Sequence, residues 1–236
     1  MRLHVLFTGE VRRTGAPVLA YLIRTGETDV LVDTGYTRER VGAYRDDPDE
    51  PIRLDDGEDV LSRLAELGIA PDDVGYVICT HFDPDHAGNH DAFPGAEFVV
   101  QRRHYEWARS VASPRLAATR ELWDRPDHRY RLIDGDVGLL PGIELIESSG
   151  HVPGHQSVLV RLAGEGPILL AADAIPTTEA LDPIHRPIYP LDMDEAEVRA
   201  STEKLTALAR SEGAQIIHGH DAVAAKSLRA FPSFYS

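Results

Sequence analysis

Three short segments concentrate side chains able to bind a cation or move a proton. His81-Phe82-Asp83-Pro84-Asp85-His86 puts four metal-competent groups within six residues. Gly150-His151-Val152-Pro153-Gly154-His155 and His218-Gly219-His220-Asp221 each carry a pair of imidazoles beside glycine. Asp173 ends the apolar run 168–172, where a carboxylate is costly to bury unless paired or bound to a cation. The chain holds 11 His in 236 residues, and more than half of them fall in these segments. Imidazole and carboxylate together suit Zn, Fe, Mn or Co. Cys79 is the single cysteine, which excludes an internal disulfide and a cysteine-based zinc cage.

Each segment follows an apolar stretch, so its polar side chains emerge where a strand ends. Four groups in 81–86 cannot share one face of a strand or helix. On an irregular turn they can converge, or divide between two adjacent ions. Within the pairs, His155 is the expected ligand because Gly154 allows close backbone approach, with His151 in a supporting role. His220 is preferred over His218 because it lies nearer the loop. Asp33, in the run LVDTG, pins a turn or supports the site from behind. The expected ligands are His81, Asp83, Asp85, His86, His155, Asp173 and His220. Seven such groups exceed what one ion takes in a small site. Two ions sharing a carboxylate, about 3.5–4 Å apart as in two-metal hydrolases, accommodate them.

The elements that must position these groups read as follows. Strands are predicted over 2–8, 17–24, 29–33, 75–79, 96–101, 129–133, 136–140, 143–148, 156–162, 167–172 and 214–218, from Val, Leu and Ile runs bounded by Gly. Helices are predicted over 58–67, 102–110, 114–123 (with Ser113 as its cap) and 194–211. The polar stretch 34–57 and the Pro-rich segment 174–192 read as long loops, which in compact domains are often functional. No linker or low-complexity tract interrupts 1–236. The order suggests one α/β domain with two loosely similar halves.

These residues resemble the metallo-β-lactamase superfamily, whose motif is H-x-H-x-D-H. Within it the chain looks most like the quorum-quenching N-acyl homoserine lactonases. The similar stretches are VVQRRHYEWA (99–108), YRLIDGD (130–136), LPGIELIESSGHVPGHQS (140–157) and the tail GHDAVAAKSLRAFPSFY (219–235). The resemblance implies a four-layer αββα sandwich and a metal-dependent hydrolase that opens a lactone ring with a metal-bridging hydroxide. It also implies two divalent ions, zinc first, with Mn, Fe or Co fitting the same donors. One ion would be held by His81, Asp83, His155 and Asp173. The other would be held by Asp85, His86, His220 and the shared Asp173, with Asp85 passing a proton to the leaving alkoxide.

Two departures stand out. Asp83 occupies the place of the motif's second His. Pro176 occupies the place of a Tyr that, in the lactonases, helps position the substrate carbonyl. Tyr44, Ile52, His185 and Tyr189 are the candidates for substrate contacts from the flanking loops.

Composition narrows the partners. Lys+Arg 24 against Asp+Glu 39 gives a net charge of −15, which argues against nucleic acid and anionic membrane surfaces. No apolar run approaches the roughly 20 residues that span a bilayer. The N-terminal apolar stretch is too short for a secretory signal, so a cytoplasmic location is expected. The expected partner is a small-molecule lactone, and nothing in the sequence sets an oligomeric state. The readings that share the motif are a thioester or phosphodiester hydrolase, a di-iron oxidoreductase and a non-enzymatic metal-binding relative.

Overall fold

The computed structural model describes residues 1–37, 52–110, 114–117, 119–229 and 231–236. Two sheets face one another. The first runs β1 (Arg2–Val11), β2 (Ala16–Arg24), β3 (Asp29–Val32), β4 (Ile52–Arg53), β5 (Val74–Ile78), β6 (Glu97–Gln101) and β7 (Arg129–Ile133) in chain order. In space the order is β4-β1-β2-β3-β5-β6-β7. β1, β2 and β3 pair antiparallel, and β3, β5, β6 and β7 run parallel. The second sheet contains β8 (Val137–Leu140), β9 (Ile143–Glu147), β10 (Gln156–Leu162), β11 (Gly166–Ala172) and β12 (Gln215–His218), in the order β12-β11-β10-β9-β8. β12 is parallel to β11 and the remaining pairs are antiparallel.

Alternation along the strands creates the layers. In β2, Leu19, Tyr21 and Ile23 point between the sheets, against Leu145, Val158, Val160 and Leu170 of the second sheet. Its other face, with Ala20 and Leu22, meets a helical layer instead. With both faces covered, nearly all of β2 is buried, and the strand reads as a continuous apolar run and not an alternating one. The first helical layer holds α1 (Val60–Glu66), α2 (Arg102–Ser110), α3 (Pro114–Ala117) and α4 (Arg120–Trp123). On the far side, α5 (Glu195–Glu212) lays Leu205 and Ala209 against Ile146, Leu159, Leu169 and Ala171. The result is the expected αββα sandwich.

Local chemistry sets the helix ends. Asp194 caps α5 by accepting from Glu197 N–H, and Gly213 ends it in the left-handed region at φ 65°. Asp59 caps α1 in the same way through Ser62 N–H. In place of the helix predicted over 114–123 the described residues form α3 and α4, with Thr119 in a turn before α4. Thr119 turns out of line there, its hydroxyl donating to Phe82 O at 3.2 Å. Ser113 and its predicted cap lie outside the described residues, as does most of the 34–57 loop. Ile52 and Arg53 of that loop form β4, which pairs with the end of β1. Among the described residues no helix is long and apolar enough to cross a membrane.

Candidate metal centre

The functional side chains gather where strands of both sheets end. Asp33 follows β3, His81 follows β5, Asp173 follows β11, and His220 lies just past β12. Crevices beyond the carboxyl ends of strands are the usual binding position in α/β sheets. Two residues here hold positive φ without being glycine: Asp33 at 58° and Ala172 at 46°. Such backbone is uphill for L-residues and persists where the surroundings impose it, as they do around functional sites.

The turn after β5 is built around Phe82. Its ring stacks on Trp123 at 4.4 Å with an 8° interplanar angle, deep in the helical layer. Its N–H donates to His104 Nε2 at 3.0 Å. Anchoring this one apolar side chain outward sends His81 and Asp83, on either side of it, toward the cleft. Asp83 O then accepts from His86 N–H and Ala87 N–H, both at 2.9 Å, which closes the turn and returns His86 to the same cleft.

Three triads of ligand atoms lie within 4.8 Å of one another: His81, His86 and Asp173; His81, Asp83 and His151; and Asp85, His86 and His220. Asp173 joins them. Its Oδ1 is 3.0 Å from His220 Nε2 and 3.4 Å from His86 Nε2. Its Oδ2 is 3.2 Å from His151 Nε2 and 3.8 Å from His81 Nε2. One carboxylate thus faces both halves of the cluster.

Each of these imidazoles is held from behind through Nδ1, leaving Nε2 for the centre. His86 Nδ1 meets Asp33 Oδ2 at 2.8 Å, and His151 Nδ1 meets Asp192 Oδ1 at 3.0 Å. His220 Nδ1 meets Pro17 O at 2.9 Å, and His81 Nδ1 meets Thr80 Oγ1 at 3.0 Å. Thr80 is itself fixed, its hydroxyl donating to Asp33 Oδ2 at 2.7 Å. Oriented imidazoles backed by carboxylates and carbonyls are the usual support of metal-ligating His. The decisive fit is at the front. His81 Nε2, His86 Nε2 and Asp173 Oδ1 are buried and make no hydrogen bond. Unpaired buried polar atoms are rare and costly, and a divalent cation satisfies all three at once.

The charges agree. Burial alone would raise the Asp173 pKa, but His220, His86 and His151 hold it well below the usual carboxylate range. Burial would lower His220, but Asp173 and Asp85 bring it up to about 9. Burial and the neighbouring His86 push His81 down to about 3. For His151, burial lowers the pKa while Asp173, Asp192 and Asp83 raise it to about 9. Arg115 Nη2 stands 2.6 Å from His151 Nε2, however, which leaves no room for a second hydrogen between them. The steric contact favours the neutral ring with its proton on Nδ1.

Of the expected ligands, the structure brings together His81, Asp83, Asp85, His86, Asp173 and His220. It does not bring in His155. That ring donates from Nδ1 to Ser148 Oγ at 2.9 Å, in a chain that continues through Ser157 Oγ to Ala171 O. Its Nε2 is buried without a partner and belongs to none of the three triads. His151, expected in a supporting role, lies in the cluster with His81 and Asp83 instead. The reason lies in what the glycines do. Gly154 (φ 70°) is needed because a Cβ there would sit 2.4 Å from His104 N, so its freedom serves packing against α2 and not ligand approach. A Cβ on Gly150 (φ 131°) would likewise sit 2.3 Å from Val198 N of α5, so only glycine fits in the turn that leads to His151.

Asp33 supports the site from behind, as the sequence suggested. His218 stays outside the cluster, its Nδ1 on Ile175 O at 3.2 Å. Among the substrate candidates, His185 is exposed and pairs with Asp182 at 2.8 Å. Tyr189 shares a hydrogen bond with Thr177 Oγ1 at 2.7 Å. Ile52 is buried in a small cluster with Val18, Tyr36 and Leu54, and Tyr44 lies outside the described residues. Sequence reasoning missed Arg115, Asp192 and Thr80. Only Thr80, adjacent to His81, carried any signal. Arg115 and Asp192 sit on a short helix and an irregular loop with nothing in their local sequence to mark them.

Comparison with known proteins agrees with this fold. The metallo-beta-lactamase superfamily matches residues 13–220. The N-acyl homoserine lactonase AiiA of Bacillus thuringiensis subsp. kurstaki is 32% identical over 229 residues, covering 92% of this chain and 86% of the relative. The N-acyl homoserine lactonase AttM of Azorhizobium caulinodans is 37% identical over 195 residues, covering 78% and 72%. A solved N-acyl homoserine lactone hydrolase, with the product N-hexanoyl-L-homoserine bound at its catalytic metal centre, superposes with a TM-score of 0.87 at 28% identity, covering 99% of this chain and 98% of that one. The chain belongs to the metallo-beta-lactamase superfamily and, within it, to the N-acyl homoserine lactonase family.

Proposed function

We propose that this metal-dependent hydrolase opens the ester bond of a lactone ring, with N-acyl homoserine lactones, and hence quorum quenching, as the leading substrate class. The observation that carries the reading is the set of buried, unpartnered donors His81 Nε2, His86 Nε2 and Asp173 Oδ1 facing one another at the strand ends. That its relatives are named N-acyl homoserine lactonases supports the substrate class.

His81, Asp83, His151 and Asp173 would hold one divalent ion, and Asp85, His86, His220 and Asp173 the other, zinc first. Ions held there supply Lewis acidity at the ester carbonyl and make water a nucleophile at neutral pH. The chain's own residues do the rest. Asp33, Asp192, Thr80 and Pro17 O keep the Nε2 lone pairs aimed inward. Asp85 is the proton carrier to the departing ring oxygen: its side chain is 22% exposed, open to the cleft, with Oδ2 3.6 Å from His220 Nε2. Pro176 offers no side-chain donor to a substrate carbonyl, although its own carbonyl accepts from His220 N–H at 2.8 Å.

The test is metal content together with kcat/KM for acyl homoserine lactones of several lengths, other lactones, a thioester and bis(p-nitrophenyl) phosphate. Lactone opening should be the fastest reaction. No lactone cleavage beside brisk thioester or phosphodiester hydrolysis sinks the proposal. Pro176→Tyr keeps the backbone contact and restores a hydroxyl. Since one oxyanion donor is worth ~10²–10³ in rate, it should raise kcat/KM for acyl homoserine lactones by at least about tenfold.

A further inference from the structure

We propose that Arg115 competes with the metal for the Asp83–His151 half of the centre, so that the two ions bind with unequal affinity and Arg115 sets the difference. This rests on the metal reading above.

Arg115, on α3, places its guanidinium across the ligand atoms of one half only. Its Nε donates to Asp83 Oδ1 at 2.6 Å, and its Nη2 donates to Asp83 Oδ2. The same Nη2 lies 2.6 Å from His151 Nε2, and Nη1 donates to Leu191 O at 2.7 Å. The fork on Asp83 is the planar, two-point match that guanidinium makes with carboxylate. His151 donates from Nδ1 to Asp192, so the lone pair on Nε2 is the one that receives Arg115. A metal ion held by Asp83 and His151 needs that same lone pair and the same carboxylate oxygens. Two cations cannot share a nitrogen at bonding distance, so the guanidinium must withdraw from His151 before an ion settles there.

The other half has no such rival. Among the described residues no Lys or Arg forms an ion pair with Asp85 or Asp173, whose partners within 4 Å are all imidazoles. Arg115 can withdraw readily, because its side chain is 16% exposed and reaches the cleft from a four-residue helix. The pairing also accounts for Asp83. A His at that position would offer the guanidinium no carboxylate to grip, whereas Asp83 recruits it.

The test is a zinc titration of metal-free protein against a chromophoric chelator, for the wild type, Arg115→Gln and Arg115→Lys, with zinc content measured in parallel. The wild type should bind one zinc tightly and one more weakly. Arg115→Gln should tighten the weaker zinc by about 10- to 100-fold, the usual scale for groups behind metal ligands, and leave the tighter one within about threefold. Arg115→Lys keeps a charge but loses the fork and should fall between the two. Should Arg115→Gln fail to fold, Arg115→Lys alone must still tighten the weaker site. A residue that merely props up the loop would loosen zinc on removal. An unchanged or loosened weaker zinc in a folded variant, or two equally tight zincs in the wild type, overturns the proposal while leaving the lactonase reading intact. A wild type that binds no zinc overturns the metal reading beneath it.

Discussion

The two halves of the centre use the same donor types but are supported by different parts of the molecule. Asp85, His86 and His220 are backed by Asp33, which follows β3, and by the carbonyl of Pro17 in β2. Those strands lie in the middle of the large sheet, and the support is part of the core. His81 leans on Thr80, which Asp33 also holds, but His151 leans on Asp192, in the irregular segment before α5. Asp192 in turn lies 3.7 Å from Arg186 Nη2, a buried arginine held by Ala174 O and Thr202. Asp83 is shared with Arg115 on a short peripheral helix. One half therefore inherits the rigidity of the sheet, and the other depends on loop elements that can adjust. In a family built on one sandwich, that second half is where metal affinity can be retuned without disturbing the fold.

The strongest way to break this comparison is through the residue common to both halves. Asp173→Ala should remove both ions and lower kcat/KM for a lactone by at least ~10³, since two-metal catalysis depends on the pair. Retention of either ion, by elemental analysis, would show that the halves do not share this carboxylate.

His220→Ala and His151→Ala separate the halves. Each should lose one ion and about 10²–10³ in kcat/KM, the scale of removing a group that stabilises the transition state. His155→Ala should keep both ions. If His155→Ala lost an ion while His151→Ala kept both, the ligand would be His155 after all.

Asp33→Asn probes the support of the sheet-backed half. An amide NH₂ facing His86 Nδ1–H disfavours the tautomer that presents Nε2 inward. The metal affinity of that half should fall by about 10- to 100-fold, with the fold retained. The other half, which Asp33 reaches only through Thr80 and His81, should lose less, and an equal loss from both would contradict their different support.

The smallest effect concerns stability. Burial would raise the Asp221 pKa, but the Thr178 hydroxyl and the N–H groups of Thr178, Ala224 and Val223 hold it well below the usual carboxylate range. These bonds fix the loop that carries His220. Asp221→Ala leaves those donors unpaired and should cost about 1–3 kcal/mol in chemical denaturation. An unchanged midpoint would mean that the loop is held by other contacts.

How far the site could be read in advance depended on the range of the contacts involved. The strands and α5 follow from local runs of apolar residues and from caps such as Asp194 and Gly213, and their predicted positions match closely. The ligand types at 81–86, Asp173 and His220 were legible because each follows directly on such a run. The helix over 114–123 was harder to place, because the turn at Thr119 reflects a hydroxyl bond to Phe82, distant in the chain.

The sequence by itself determined that imidazoles and carboxylates would meet at strand ends, because a buried strand delivers whatever residue follows it to the sheet's edge. It also determined the family, through motifs spread along most of the chain. Only the tertiary structure brings His151, and not His155, into the cluster. That placement goes with the packing of Gly150 and Gly154 against α5 and α2, which no local pattern encodes. It likewise decided that Arg115 would lie across Asp83 and His151. Those partners are 32 and 36 residues away, and a guanidinium on a surface helix carries no mark of the carboxylate that folding will bring to it.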